Sequence, residues 1–169
     1  FDHYMNKSLG YEKEQVVNIL GLNSLDPQLR DVFKNEVLAQ SAVQNASLGD
    51  YLPVSGSRAT NFGFKLEGQS DLDVGFEAAR WTIDEDYLST MSIELTAGRD
   101  FNKQLGDDDG LIINESMADA FDLEEPIGTQ FIDMFDGRYQ VIGVVKDFYF
   151  ESLTEEVRPL AMVKGKGYE

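Results

Sequence analysis

Short apolar runs separated by polar turns divide the chain, beginning with a candidate β-α-β unit. The runs 16–22 and 41–54 are apolar and bounded by polar residues, and each is predicted to be a strand. Between them Asp26 is a suitable N-cap and Pro27 suits the first position of a helix. Apolar residues of this helix recur at spacings of three and four, which predicts one apolar face: Leu29, Val32, Phe33 and Val37.

The middle of the chain predicts two strands and a short helix. The strands are 62–68 and 76–83, and the acidic loop 69–75 separates them. Asp84 is predicted to cap the helix that follows. Three apolar residues of this helix share a face: Tyr87, Leu88 and Met91.

The next segment predicts two strands and another capped helix. Residues 93–101 form a strand that runs into a turn at Gly98. The apolar run 111–114 is a short buried strand, and Asn114 is predicted to cap the helix 115–121.

The strongest local signal is a hairpin near the C-terminal end. The strands 128–135 and 139–148 flank Asp136-Gly137, a dipeptide that tolerates the positive φ of a tight turn. The second strand is apolar on both faces, which predicts a position inside the sheet. Strict alternation puts Val141 and Val145 on one face and Ile142 and Val144 on the other. The order of all these elements predicts the α+β class.

Charge and composition then restrict the partners. The chain has 14 basic and 31 acidic residues, a net charge of −17, so nucleic acid and anionic lipid surfaces are unsuitable partners. It has no cysteine, which excludes disulfides and thiolate sites. No apolar run reaches the roughly 20 residues of a membrane helix. The helical spacing of apolar residues in 1–9 suggests the end of a helix that began earlier, so we expect a piece of a longer protein.

Missing motifs argue against an enzyme. The one histidine, His3, lies in that leading segment, which leaves a Ser-His-Asp triad and a nitrogen-ligated zinc site without support. The sequence contains no G-x-S-x-G, Walker A or G-x-G-x-x-G motif. Nothing in the sequence distinguishes any two acidic residues as the catalytic pair of a glycosidase. The sequence therefore assigns no catalytic, cofactor-binding or metal-binding residue.

Four features still need an interpretation. The acidic runs 71–73 and 107–109 could hold a hard cation, but the second fails the EF-hand spacing, and we expect solvated loops. The sequence leaves open whether a cation binds Asp107, Asp108 and Asp109. Trp81 could stack on a ligand, although a core position is the ordinary interpretation. Lys146 and Asp147 are adjacent on a strand and point to opposite faces, so we interpret the pair as structural.

Five segments, in order, resemble one family. They are LGYEKEQVVNI, DEDYLSTMSIELTAGRDF, IINESMADAF, EEPIGTQF and VIGVVKDFYFESLTEEVRPL. These segments are similar to the periplasmic core domain of MacB/FtsX-type ABC transporter permeases, and most similar to the second such domain of the large permeases that carry two.

The resemblance implies a single non-enzymatic domain over 1–169, strung between two transmembrane helices. It implies a porter-like lobe at about 10–58, an inserted Sabre-like lobe within about 59–138, and C-terminal strands 139–169 that return to the membrane side. Both chain ends would then lie at one pole. In this family, Gly98, Pro126, Gly128 and Gly143 would shape turns and strand ends.

The same resemblance implies a cellular setting. The domain would lie on the periplasmic side of the inner membrane of a Gram-negative bacterium and move with a separate cytosolic ATP-binding subunit. A permease dimer and a periplasmic partner or substrate are further expected associations, and no cofactor is expected. The alternative is a stand-alone secreted or surface protein that binds carbohydrate or calcium. The sequence locates no substrate or partner interface for either.

Overall fold

A computed structural model describes residues 9–11, 15–53, 61–69, 75–151 and 156–165, and these residues contain seven strands and three helices. The strands are β1 (Asn61–Leu66), β2 (Phe76–Ile83), β3 (Leu95–Gly98), β4 (Gly110–Asn114), β5 (Gln130–Asp133), β6 (Arg138–Val145) and β7 (Leu160–Lys164). The helices are α1 (Pro27–Leu38), α2 (Tyr87–Met91) and α3 (Glu115–Ala120). The 3-10 turns of these ranges are Leu22–Ser24 and Asp107–Asp109.

Local signals locate most of these elements. Strand β2 matches the predicted run 76–83, and β1 matches the predicted run 62–68 except for its last two residues. The mixture of helices and strands confirms the α+β class. The predicted hairpin is formed by β5 and β6, which pair antiparallel. Its turn has Asp136 at φ +63°, the left-handed conformation that the Asp-Gly dipeptide tolerates.

Two helix caps are also confirmed. The Gln28 N–H donates to Asp26 Oδ1 at 2.9 Å, and Pro27 occupies the first helical position of α1. At α3 the Met117 N–H donates to Asn114 Oδ1 at 3.0 Å. Each cap satisfies a backbone donor that the first helical turn leaves unpaired.

The seven strands form one mixed sheet in the order β3-β6-β4-β7-β2-β1-β5. Because β5 also pairs with the first part of β6, six strands close into a ring, and β3 pairs with the last part of β6. The pairs β2–β7 and β4–β6 are parallel, whereas the other pairs are antiparallel. We call the six closed strands the ring. Closure gives each of its strands a hydrogen-bonded neighbour on both sides.

Buried apolar side chains form two clusters on opposite faces of the sheet. The tryptophan cluster consists of Ala79, Trp81, Ile83, Tyr87, Leu88, Met91, Ile93, Phe101, Ile112, Val145, Phe148, Phe150, Leu160 and Met162. The Phe131 cluster consists of Phe64, Ala78, Leu111, Ile113, Met117, Ala118, Phe121, Phe131, Val141, Val144, Ala161 and Val163. Successive residues of β4 and β7 alternate between the clusters, as the two faces of a strand require.

Strand β6 lies inside the sheet as predicted, but its faces differ from the prediction. Val141 and Val144 both belong to the Phe131 cluster, whereas Val145 belongs to the tryptophan cluster. The pairing between β6 and β4 skips Ile142, so β6 contains a bulge. One extra residue reverses the alternation of faces for every residue that follows it. The prediction that Val141 and Val145 lie on the same face is therefore wrong.

The two strands predicted for 16–22 and 41–54 are wrong within the described residues. No strand is assigned in 16–22 or 41–53, and Val17 is 83% exposed. The second segment meets the sheet in a single isolated bridge between Gly49 and Ile83. Apolar, β-branched sequence favours a strand only when a partner strand and a covered face are available.

Helix α1 forms where it was predicted, but its apolar face is not its buried face. Leu29 and Val32 are 54% and 55% exposed, and the other two residues of the predicted face are half-buried. The buried residues are Arg30 at 5% and Lys34 at 8%. The helix thus lies on the domain through its charged side.

The predicted cap of α2 is wrong by two residues. Asp86 occupies the N-cap position, and Asp84 instead accepts the Asp86 N–H through Oδ1 at 3.1 Å. The predicted apolar face of this helix is correct, because all three of its residues are buried: Tyr87, Leu88 and Met91.

Several predictions fall outside the described residues. They concern most of the leading segment 1–9, the acidic run 71–73 and the two chain ends. At the described margins, the Tyr149 N–H donates to Leu9 O beyond the end of β6, and the Gly165 N–H donates to Ile83 O at the end of β2. Since β2 and β6 run in opposite directions, these margins lie at opposite ends of the sheet. That both chain ends lie at one pole stays a prediction, as does the division into two lobes.

Candidate functional site

Asp147 lies in a polar junction at the end of β6. Its Oδ1 accepts hydrogen bonds from Asn114 Nδ2 at 2.8 Å and from the Ser116 N–H at 3.0 Å. The Ser116 hydroxyl donates to Asp147 Oδ2 at 2.5 Å, and the Asp147 N–H donates to Glu115 Oε2 at 3.1 Å. Neighbouring Lys146 pairs with exposed Glu94 instead. These contacts agree with a structural role for the Lys-Asp pair, since the two side chains engage different partners.

Asn114 is the centre of this junction and is completely buried. Besides capping α3, its Oδ1 accepts the Leu160 N–H at 2.8 Å. Its Nδ2 donates to Arg158 O at 3.0 Å as well as to Asp147. One side chain therefore ties the end of β4 to the start of β7, the start of α3 and the end of β6. The sequence indicated the cap but not the other three bonds.

A second polar cluster, which we call the Lys34 clasp, joins α1 to the end of β2. The Lys34 ammonium contacts Asp84 Oδ2 at 2.6 Å and Asp86 Oδ2 at 2.5 Å. Asp84 Oδ2 also accepts the Leu48 N–H at 2.8 Å. Burial raises the pKa of Asp84, although the ammonium opposes that shift. Burial alone would lower the pKa of Lys34, but its hydrogen bonds to both carboxylates raise it.

Asp100 adds a further carboxylate near the clasp. Burial raises its pKa to about 6, and the negative charges of Asp84, Glu85 and Asp86 act in the same direction. Lys103 balances part of this charge through an ion pair with Glu85 at 3.0 Å. This end of the sheet is therefore acidic and contains a carboxyl group whose pKa is raised to about 6.

In the acidic run 107–109, the first carboxylate is engaged by an arginine. The Arg99 guanidinium binds both carboxylate oxygens of Asp107 at 2.7 Å and lowers the pKa of that group. Asp107 Oδ2 also accepts the Asn102 N–H at 2.8 Å. In the part of the chain that the structure describes, no three His, Cys, Asp or Glu side chains are grouped to hold a metal ion.

Trp81 is a core residue. It is completely buried, its ring stacks on Tyr51 at 4.6 Å between centroids, and three other aromatic rings meet it edge-on. The edge-on rings belong to Tyr87, Phe148 and Phe150. Its ring faces are covered by protein, so a ligand cannot stack on them without displacing the core.

The residues expected to shape turns do so. Gly98 has φ +71°, and a Cβ on it would lie 2.2 Å from Ile142 O. A Cβ on Gly143 would lie 2.4 Å from another carbonyl oxygen, because β3 and β6 approach closely there. Pro126 O accepts a backbone hydrogen bond from Thr129 at 3.1 Å, in a turn that contains Gly128 at φ +91°. All of these roles concern backbone geometry.

Solved structures provide a comparison for this fold. The periplasmic region of MacB from Actinobacillus actinomycetemcomitans matches with a TM-score of 0.54 at 18% identity, over 79% of this chain and 54% of that one. The extracellular domain of the noncanonic ABC-type transporter YknZ from Gram-positive bacteria matches with a TM-score of 0.54 at 15% identity, over 78% of this chain and 59% of that one. The chain therefore spans little more than half of each structure. No curated protein matches the sequence significantly.

A family model supports the same assignment from the sequence. The model described as MacB-like periplasmic core domain matches residues 16–162, a range that includes α1, α2, α3 and six complete strands of the described fold. No helix in the described ranges is long and apolar enough to cross a membrane. The match covers most of the chain and confirms the resemblance found in the sequence. The chain belongs to the family of MacB-like periplasmic core domains.

Proposed function

We propose that this chain is a non-enzymatic extracytoplasmic domain of an ABC transporter permease that transmits ATP-driven motion to a periplasmic substrate or partner. The observation that carries this proposal is the family match over residues 16–162. The similarity in fold to a domain of an ABC-type transporter, YknZ, supports it. The activity itself would belong to the whole transporter, of which the chain is one part.

The architecture suits the transmission of force. The part of a domain that passes on a displacement must resist deformation. Here the ring pairs each of its strands on both sides, and an apolar cluster covers each face. Asn114 and Asp147 add hydrogen bonds between strand ends, where a sheet would otherwise fray. These features support a rigid lever.

The proposal includes the partners that such a lever needs. They are the transmembrane helices of the same protein, a separate cytosolic ATP-binding subunit, a second permease copy, and a periplasmic partner or substrate. We place the domain outside the cytoplasm and propose the inner membrane of a Gram-negative bacterium. YknZ, from Gram-positive bacteria, has a similar fold, so the fold suits either type of envelope. We also retain as proposals the two lobes and the assignment to the second domain of a large permease.

The contacts of polar groups support a non-enzymatic role. Asp107 is engaged by Arg99, and Asp147 by Asn114 and Ser116, so the conspicuous carboxylates form structural contacts. We expect purified domain to show no ATP turnover above the buffer background in a coupled phosphate-release assay. Turnover that a point mutation within the domain abolishes would contradict this part of the proposal.

The alternative, a stand-alone binding protein for carbohydrate or calcium, has no specific observation in its favour. Among the described residues, Trp81 is covered and the acidic run 107–109 is partly engaged by Arg99. Calorimetry with Ca²⁺ offers a direct check. Binding at micromolar concentration that Asp108→Asn and Asp109→Asn remove would favour the alternative.

The motion can be tested in the full-length permease reconstituted with its ATP-binding subunit. Met134 is 60% exposed in the turn between β5 and β6, and the domain has no cysteine. A donor dye on Met134→Cys and an acceptor dye in the extracytoplasmic leaflet would report the height of the domain above the membrane. We expect the energy transfer to change with ATP and Mg²⁺, and to stay constant with a hydrolysis-deficient subunit. A signal that does not respond to nucleotide would overturn the proposed transmission of motion.

A further inference from the structure

The segment 17–47, which contains α1, is attached to the rest of the domain in an unusual way. Its helix buries two cationic side chains, Arg30 and Lys34, and exposes Leu29 and Val32 by more than half. An ordinary surface helix does the reverse and uses apolar burial to stay in place. None of the residues of this segment belongs to the tryptophan cluster or the Phe131 cluster.

Two anchor points border this segment. Val16, just before it, packs against the tryptophan cluster. Leu48, just after it, exchanges hydrogen bonds with Asp84: the Asp84 N–H donates to Leu48 O at 3.0 Å, and the Leu48 N–H donates to the Asp84 carboxylate. We call the segment 17–47 between these anchors the strap.

Between the anchors, the Lys34 clasp joins the strap to the ring. Lys34 reaches Asp84 at the end of β2 and Asp86 at the start of α2. Arg30 is buried as well, and its Nε donates to Leu25 O at 3.0 Å. The clasp therefore connects the ring with a segment that contributes no residue to either apolar cluster.

Isolated helices of this length have marginal stability in water. Helix α1 has 12 residues, and such helices depend on tertiary contacts because helix nucleation is unfavourable. When those contacts are mainly ionic, opening the helix exposes little apolar surface to water. Opening therefore costs much less than unfolding the ring, whose clusters are apolar.

We propose that the strap lifts from the ring as a local unit while the ring stays folded, and that the Lys34 clasp is its latch. This is a property of the domain alone and does not depend on the transport function proposed above. Lifting would uncover the carboxylates of Asp84 and Asp86 at the end of the sheet and would leave the strap tied at Val16 and Leu48.

Hydrogen exchange measured by mass spectrometry on the 169-residue chain tests this proposal. In the unmodified chain, we expect amides of α1 to exchange at least tenfold faster than those of β4 and β7. Lys34→Met should accelerate amide exchange in α1 by at least a further tenfold and leave the exchange rates of β4 and β7 unchanged. The matched control is Lys146→Met, which removes an exposed lysine paired with Glu94 beyond the end of β6, and this variant should change neither region.

A second variant keeps the test decisive if Lys34→Met prevents folding. Lys34→Met combined with Asp84→Asn removes the buried lysine and its buried partner charge together, while an acceptor for the Leu48 N–H remains. We expect accelerated exchange in α1 with protected β4 and β7 here as well. Equal exchange rates for α1 and the strands in the unmodified chain would overturn the proposal, because the strap would then unfold only with the ring. Unchanged α1 exchange in both variants would show that the clasp is not the latch.

Discussion

The ring and the strap both contain buried side chains, but the chemistry of burial differs between them. The ring buries apolar groups on both faces, each worth about 1.5–3 kcal/mol for a large aliphatic or aromatic side chain. The strap buries Arg30 and Lys34, and a buried ion pair gains little net free energy because its charges must leave water. Burial alone therefore does not measure attachment. The same low exposure indicates a cooperative core in one region and a releasable contact in the other.

The largest predicted difference in stability comes from the same change, valine to aspartate, made once in the ring and once in the strap. Val144→Asp places a charge in the Phe131 cluster, and we expect a loss of about 4 kcal/mol or more, enough to unfold a marginal domain. Val17→Asp, at a position 83% exposed, should change stability by less than about 0.5 kcal/mol. Urea denaturation followed by tryptophan fluorescence measures both. Similar midpoints for the two variants would contradict the placement of β6 in the core.

A buried hydrogen-bond centre should contribute more than an exposed one. Asn114→Ala leaves the Met117 and Leu160 amides and the Arg158 carbonyl without their partner, for an expected loss of about 3 kcal/mol. The control is Asn102→Ala, which removes an exposed contact to the Gln104 N–H and should cost less than about 1 kcal/mol. Thermal melting curves of the two variants compare these losses of stability. Equal losses would mean that the junction does not stabilise the ring.

Substitution of two glycines with positive φ distinguishes the cost of a steric clash from the cost of the left-handed backbone conformation. In Gly98→Ala the new Cβ would clash with Ile142 O, and alanine would also be held in the unfavourable left-handed conformation. We expect the free energy of unfolding to fall by about 2 kcal/mol or more. Gly21 lies at φ +90° before the first 3-10 turn of the strap, and a Cβ on it would have no other atom within 4 Å. Gly21→Ala should therefore cost only about 1 kcal/mol. The midpoints of urea denaturation measure the stability of both variants. A loss at Gly21 as large as the loss at Gly98 would contradict the close approach of β3 to β6 at Gly98.

The smallest effect concerns pH at the acidic end of the sheet. The folded pKa of Asp100 is raised to about 6 from 3.8, so the protonated form favours folding. This contribution is fully present below about pH 4 and is lost as the pH rises through 6. Asp100→Asn should therefore stabilise the domain at pH 7, by less than about 1 kcal/mol because the group is partly solvated, and make no difference near pH 4. Melting curves at both pH values test this, and stabilisation that is equal at both would refute it.

Sequence alone indicated the features whose interactions are local. The caps at Asp26 and Asn114 and the turn at Asp136 involve hydrogen bonds or backbone angles within a few neighbouring residues. The buried runs of β4 and β6 were visible because covered strands need continuous apolar sequence. The family could also be identified from the order of its segments.

Strand pairing required the tertiary structure. The bulge at Ile142 arises from how β6 meets β4, so alternation within β6 alone could not show it. The segments 16–22 and 41–54 have strand-like composition, but the described parts do not join the ring, whose strands already pair on both sides. A strand forms only where a free neighbour offers hydrogen bonds.

The clasp shows the same limit for side chains. The sequence determined that α1 would be a helix and that Arg30 and Lys34, four residues apart, would share a face. It did not determine which face would be buried, because the partners of Lys34 lie 50 and 52 residues away. Helical periodicity follows from backbone geometry, whereas the choice of the buried face depends on which groups of the folded sheet stand opposite, and only the tertiary structure brings Asp84 and Asp86 there.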